Sequence, residues 1–331
     1  MSASIASAPF ACRRITSDDA GAAQRLSASI GWPHRREDWR FSIRTGTGFV
    51  AEIDGAVVGT AMCWKFGAHQ ATLGMVIVAA GHRRQGIGRA LMQRVLDELG
   101  DREITLYATA MAKPLFDMLG FIERGTLEQY QGAAFRPPLV ALPAGERLRP
   151  LGANDTAQLA ELATRARGLE RSQLLPVLLG HADGIALDHD GELLGFSLFR
   201  RFGRGFLIGP VIAADARADA AAEVGADIVH RTDAGDATAT IDAIHTARAK
   251  ALIRHWLALN EGALVRIDIP GDSALRDWLT GLGLARGETV VRMTLHGDLP
   301  RPVAHDDDDA LTATTGSPPL HQFAVINQSL T

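Results

Sequence analysis

The sequence predicts an α/β protein built from two similar units in tandem. Three observations lead there. A chain of 331 residues is long for one hydrophobic core and comfortable for two. Apolar runs of strand length alternate with segments of helical period as far as Gln131. Finally, Arg13, Asp19, Asp54, Gly55 and Gly59 return as Arg149, Asp155, Asp190, Gly191 and Gly195, each displaced by 136 positions, as 190 is from 54.

The elements follow in order. Phe10 to Ile15 reads as a strand, and Ser17-Asp18-Asp19 supplies the capping residues for a helix reaching Ile30. The loop Gly31-Trp32-Pro33-His34 leads into a short helix from Arg35 to Arg44 that carries Asp38 and Trp39. Gly48 to Ile53 and Ala56 to Trp64 pair as a hairpin, because Asp54-Gly55 is a two-residue turn that tolerates positive φ. Ala71 to Val78 is a third strand. Ile87, Leu91, Val95 and Leu99 recur at helical spacing, Glu103 to Ala108 is again a strand, and Ala112 to Phe121 is a helix stopped at Gly120. A last strand lies near Gly125 to Gln131.

Between the third strand and the helix lies His82-Arg83-Arg84-Gln85-Gly86-Ile87-Gly88-Arg89-Ala90-Leu91. The first turn of a helix leaves backbone N–H groups without partners and carries the positive end of the dipole, so an anion belongs there. A P-loop needs Gly, four residues, then Gly-Lys-Ser/Thr, which is missing; a dinucleotide loop needs a third glycine where Leu91 stands. The run Arg83-Arg84-Gln85-Gly86-Ile87-Gly88, after a strand ending Val76-Ile77-Val78, resembles the pyrophosphate loop of the GNAT superfamily of acyl-CoA-dependent N-acetyltransferases. The element order and the ending Pro114-Leu115-Phe116, Leu119-Gly120-Phe121 resemble that superfamily as well, over residues 10 to 131.

The resemblance implies, for each unit, a mixed and mostly antiparallel central sheet flanked by helices. The expected layout is an acetyltransferase domain over 1–132, a linker over 133–148, a degenerate GNAT-like domain over 149–297, and a tail over 298–331. Within the second unit the offset rises from 135 at Ile208-Gly209 to 161 at Ala251-Leu252, so about 26 residues are inserted near 214–244. Both glycines of the loop are replaced in either register, by Ala247 and Ala249 or by Ala221 and Glu223, so one CoA site per chain is expected. Gly281-Leu282-Gly283 follows a helix and reads as its stop, and His321 to Ile326 is apolar enough to dock back on the body.

By the same resemblance acetyl-CoA is the co-substrate, without a metal. Met75, Val76, Ile77 and Val78 would hold the acyl arm, and Arg83, Arg84, Gln85, Gly86, Ile87, Gly88, Arg89 and Ala90 the pyrophosphate, with Thr109 and Phe116 completing the set. Phe116 stands where many members place a tyrosine that protonates the leaving thiolate, which brings in a second reading: an acyl-CoA-binding regulator with weak or no turnover. The acceptor is expected to be a small-molecule amine between the halves, contacted by Trp32, Asp38, Trp39 and Asp268. Asp38 and Asp268 are the candidate catalytic carboxylates. Each has a plainer alternative: a solvated helix carboxylate for Asp38, a structural pair with Arg266 for Asp268, and core packing for the two tryptophans. Amino acid, polyamine, aminoglycoside and peptide N-terminus all remain open as acceptors.

Composition excludes other classes. A net charge of −4 without segregated basic clusters argues against nucleic acid as a partner, and no apolar run spans a bilayer. Two cysteines, Cys12 and Cys63, offer neither metal spacing nor a disulfide framework. A cytoplasmic protein is the expectation, with a homodimer left open.

Overall fold

The computed structural model describes residues 10–214, 234–297 and 320–326. The first half contains β1 (Ala11–Arg14), α1 (Ala20–Ser29), α2 (Arg36–Thr45), β2 (Thr47–Ile53), β3 (Ala56–Phe66) and β4 (Gln70–Val78). It continues with α3 (Ile87–Leu99), β5 (Glu103–Ala108), α4 (Lys113–Met118) and β6 (Ile122–Ala133). The second half repeats the pattern: β7 (Glu146–Pro150), α5 (Thr156–Arg167), α6 (Leu174–Leu179), β8 (Asp183–His189), β9 (Glu192–Phe202) and β10 (Gly205–Ala214). After these come α7 (Ala234–Leu259), β11 (Leu264–Pro270), α8 (Arg276–Gly281), β12 (Ala285–Leu295) and β13 (Leu320–Ala324). Of the expected insertion, residues 215–233 lie outside the described residues and the remainder opens α7. The last residues of the expected linker, from Glu146, already belong to β7.

The repeated residues do the same work twice. Arg13 makes a two-pronged pair with Asp19 at 2.8 Å, and Arg149 one with Asp155 at 2.8 and 2.9 Å. Each carboxylate also accepts the amide three residues before it, of Thr16 or Gly152, which fixes the entry to the following helix. Asp54 and Gly55 turn with φ of 48° and 76°, and Asp190 and Gly191 with 50° and 93°. Both turns are of the positive-φ kind that suits hairpins. An added Cβ at Gly59 would meet Ile87 and Leu91 at 3.0 Å, and one at Gly195 would meet the backbone of β10.

The sheet does not divide where the repeat does. Its order is β1-β2-β3-β4-β5-β12-β6-β11-β10-β9-β8-β7, with β13 on β10. Only β4–β5 and β10–β11 are parallel among these pairs. The last strand of each half has crossed over: β12 lies between β5 and β6, and β6 between β12 and β11. Each half therefore lends a central strand to the other.

The apolar core is shared too. One cluster joins Leu26, Trp39, Met62 and Met75 of the first half to Leu159, Leu175, Phe196 and Ile212 of the second. The other large clusters place α3 and α4 against the first half of the sheet and α7 and α8 against the second. Among the described residues, no helix is long and apolar enough to cross a membrane, and no group of three or more His, Cys, Asp or Glu could hold a metal.

Candidate active site

Two local features of the first half form a site. The first is a wedge between β4 and β5. Their parallel pairing runs from Gln70↔Glu103 to Leu73↔Leu106 and stops there. The cause is a bulge: the register against β3 jumps between Thr60 and Met62, Met75 takes φ of 55°, and Thr60 Oγ1 donates to the Met75 carbonyl at 2.8 Å. The strand bends away from β5, and its backbone from Gly74 onward faces an opening.

The second feature is the loop before α3. Gly86 caps the helix with φ of 83°, Arg84 takes 63°, and no side chain satisfies the amides of the first turn. Ala90 N is the donor to Gly86 O, so the amides before it point out of the helix end. Arg83 Nε donates back to the Val78 carbonyl at 3.2 Å and ties the loop to β4. Arg84, Gln85 and Arg89 are exposed around this end, Ala90 is half-buried, and Ile87 packs its side chain into the core. A Cβ on Gly88 would find only ordinary contacts, 3.5 Å from Leu115 and 3.7 Å from Val78. The protein itself leaves room there, in the space an anion would use. The residues present fit a pyrophosphate: free amides, two glycines and exposed arginines.

The wedge opens into a cavity of about 410 Å³ that continues into the second half. Gly74, Met75, Val76, Thr109 and Phe116 line it from one side, with Trp32, His34 and Phe41. Arg200, Phe202, Arg204, Phe206, Arg266 and Glu288 line it from the other. Ile77 and Val78 do not reach it; Ile77 is buried in the core, and Val78 serves the loop through its carbonyl.

Three expectations need correction. Trp39 is fully buried, with its Nε1 on Ser27 at 3.0 Å, so it packs the core and forms no cleft wall. Asp38 reaches the cavity lining but is fully engaged. It accepts from the Arg35 amide at 2.8 Å, the Arg35 guanidinium at 2.9 Å and the Gly203 amide at 3.0 Å. Burial pushes its carboxyl up, but these donors outweigh burial and hold it below the usual carboxylate range, the wrong direction for a base. It clamps the second half's Gly203 to the start of α2. Asp268 is 0% exposed and both its oxygens accept from Arg266, at 2.7 and 2.6 Å. It holds Arg266 in the cavity wall and presents no anion to a ligand.

The structure also brings in residues the sequence reading passed over. His34 packs edge-on against Trp32 and Phe202, with ring centres 5.5 and 5.4 Å away. Its Nδ1 is buried without a hydrogen-bond partner among the described residues, and burial beside Arg266 and Arg200 pushes its imidazole down to about 4 against the pull of Asp38. Glu288, on β12, lies exposed at the cavity rim, where partial desolvation and Asp268 raise its carboxyl and Arg266 opposes them. Arg200 had a signal: it shares a face of β9 with Phe196, Leu198 and Phe202, a charge on an otherwise apolar face. Glu288 had none, because only the strand exchange carries it here.

Comparison with known proteins agrees with this geometry. The profile of the Acetyltransferase (GNAT) family matches residues 16–121, and that of the Acetyltransferase (GNAT) domain matches 159–242 and 222–306. The chain belongs to the GNAT acetyltransferases, as a tandem of two such units. It is 27% identical over 216 residues to a Bacillus subtilis (strain 168) protein named uncharacterized N-acetyltransferase YitH, covering 64% of this chain and 73% of that one. A putative acetyltransferase from Pyrococcus horikoshii shares the fold at a TM-score of 0.63 and 19% identity, over 87% of this chain and 89% of that one. A tandem GNAT protein from the clavulanic acid biosynthesis pathway shares it at 0.56 and 19%, over 86% of this chain and 98% of that one.

Proposed function

We propose that this protein transfers the acetyl group of acetyl-CoA to the primary amine of a small molecule bound between its halves. The observation that carries the reading is the open wedge at Leu73, set beside an uncapped helix end and continuous with a cavity that the second half closes. In this reading the amides of Gly86 to Arg89 hold the pyrophosphate, and the backbone of Gly74 to Val76, past its last pair with β5, meets the acyl arm. Acetyl-CoA supplies an acyl group on a thiol of low basicity, a leaving group of pKa about 8.5 by analogy with cysteine.

The amine must first lose a proton. Glu288 faces the same cavity, and its raised carboxyl makes it the better base of the two carboxylates in the lining. Phe116 supplies no proton to the leaving thiolate, so water takes that part. Free Cys12 and Cys63 are consistent with a reducing cytoplasm, where we place the protein.

Calorimetry with acetyl-CoA and a thiol-release assay with an amine panel test the reading together. One acetyl-CoA per chain and amine-dependent release of CoA are expected. Two per chain, or none, overturns the site. Binding without release by any amine moves the conclusion to an acyl-CoA-binding regulator, the alternative that Phe116 favours.

A further inference from the structure

Arg200 is the charged group that the cavity leaves unanswered. It is 6% exposed, and its Nε and Nη2 are buried with no hydrogen-bond acceptor among the described residues. The Phe202 and Phe41 ring centres lie 5.0 and 5.7 Å from its guanidinium, so its neighbours are apolar faces. The nearby carboxylates belong to other partners: Asp38 to Arg35 and Gly203, Asp268 to Arg266. Burial pushes the guanidinium down to about 10, which still leaves it charged at neutral pH. The two ring faces offset part of the cost of burying this cation, but they do not replace hydrogen-bond acceptors at Nε and Nη2, which an acceptor arriving from outside would supply.

We propose that Arg200 receives a carboxylate of the acceptor, so that the amine acetylated is an amino carboxylate: a free amino acid or an analogue of one. This rests on the acceptor cavity argued above and names its substrate class. Nε and Nη2 form one edge of the guanidinium, with two parallel donors spaced for the two oxygens of a carboxylate; both are covered in the fold as it stands, so receiving one requires the Arg200 side chain to turn into the cavity it lines. Arg204 lines the same cavity; with Arg266 held by Asp268 and Asp38 by Arg35, the lining sets Arg200 and Arg204 against Glu288. That balance disfavours polyamines and aminoglycosides, which are polycations. The acceptor's anion lies at Arg200 and its ammonium is left to Glu288.

The test uses the full-length wild-type protein, with and without CoA. Calorimetry compares the twenty protein amino acids, β-alanine and γ-aminobutyrate with their amides and decarboxylated amines, and with spermidine. At least one amino carboxylate should bind, with its amide and its decarboxylated amine weaker by about 10- to 100-fold, the worth of a charge-assisted hydrogen-bond pair. Arg200→Gln should raise the acceptor KM by a similar factor while changing kcat less, and Arg200→Lys should recover part of the loss. Equal binding of amides or spermidine, no binding by any amino carboxylate, or a KM indifferent to Arg200→Gln overturns the inference and leaves acetyl transfer standing. Failure of acetyl-CoA to bind overturns the proposed function instead, and carboxylate-dependent binding without CoA still supports Arg200.

Discussion

The two halves solve the same geometric problem in opposite ways. In the first, β4 and β5 part after Leu73↔Leu106; in the second, β10 and β11 part after Ile208↔Ile267, at the equivalent place. The first wedge stays open onto the cavity. The second is filled by the chain itself: β13 pairs with β10 from Val211 to Ala214, and the Val325 amide donates across to the Asp268 carbonyl at 3.0 Å. A splayed pair of strands leaves backbone groups that need partners. In the proposed reading the first wedge is left for a ligand, whereas in the second a strand of the same chain supplies the partners.

Breaking the filled side should have the largest effect. Phe323, Val325 and Ile326 are buried, and full burial of three such side chains contributes roughly 5–9 kcal/mol as an upper bound. That is comparable to the whole stability of a typical domain, about 5–15 kcal/mol. A chain truncated after Pro319 should therefore give little folded protein, read by circular dichroism on heating. A truncated chain that melts within a few degrees of the intact one would show that β13 is an ornament and not a plug.

How much of this was legible follows from what kind of signal each feature leaves. The elements of the first half, the wedge strand and the loop were readable because periodicity and glycine placement are local. The repeat was readable because Arg13–Asp19 and the Asp54-Gly55 turn are local pairs, copied with their spacing. Strand exchange was not, since β6 and β12 have the same pattern whichever half they join. For the same reason the division into 1–132 and 149–297 did not show that one sheet and one of the large buried clusters run across both. For Asp268 the structure takes the alternative the sequence offered, the pair with Arg266, while for Asp38 the sequence showed a carboxylate but not its partners. Arg35 and Arg266, three and two residues away, had already claimed the two carboxylates.

The next effect sharpens the comparison by asking what the second half gives the first. Glu288 sits on β12, which the exchange inserts between β5 and β6. If it takes the proton from the amine, Glu288→Gln should lower kcat by about 10²–10⁴ with the acetyl-CoA Kd unchanged. An unaltered kcat would remove the second half from the chemical step and leave it at most a part in binding the acceptor.

A smaller effect probes the seam between the halves through pH. His34, with Trp32, Phe202 and Trp39 around its ring and Asp38, Arg200 and Arg266 as its charged neighbours, has an imidazole pushed from 6.5 down to about 4. Below its ordinary value the unfolded chain binds a proton that the folded one refuses. The stability is therefore full above pH 6.5 and is lost as pH falls toward about 4, up to about 3 kcal/mol. Urea midpoints at pH 7 and pH 4.5 should drop less for His34→Leu than for the wild type. Equal drops would mean that other groups carry the acid sensitivity.

The smallest expected change in stability separates two glycines of the open half that sequence treats alike. Gly86 takes φ of 83°, where a side chain is strained, though an added Cβ would meet nothing within 4 Å. Gly88 has no such strain, and its Cβ would make ordinary contacts with Leu115 and Val78. Gly86→Val should therefore cost about 1–2 kcal/mol of stability in addition to any loss of ligand. Gly88→Val should leave the melting temperature near wild type, because helix propensity favours any such residue over glycine. Yet both variants place carbon over the amides that the pyrophosphate is proposed to use, so both should weaken acetyl-CoA binding by calorimetry. Gly88→Val is the cleaner test, since its loss of affinity cannot be blamed on unfolding. Unchanged affinity in that variant would move the phosphate site away from α3, and with it the main functional difference between the open wedge and the filled one.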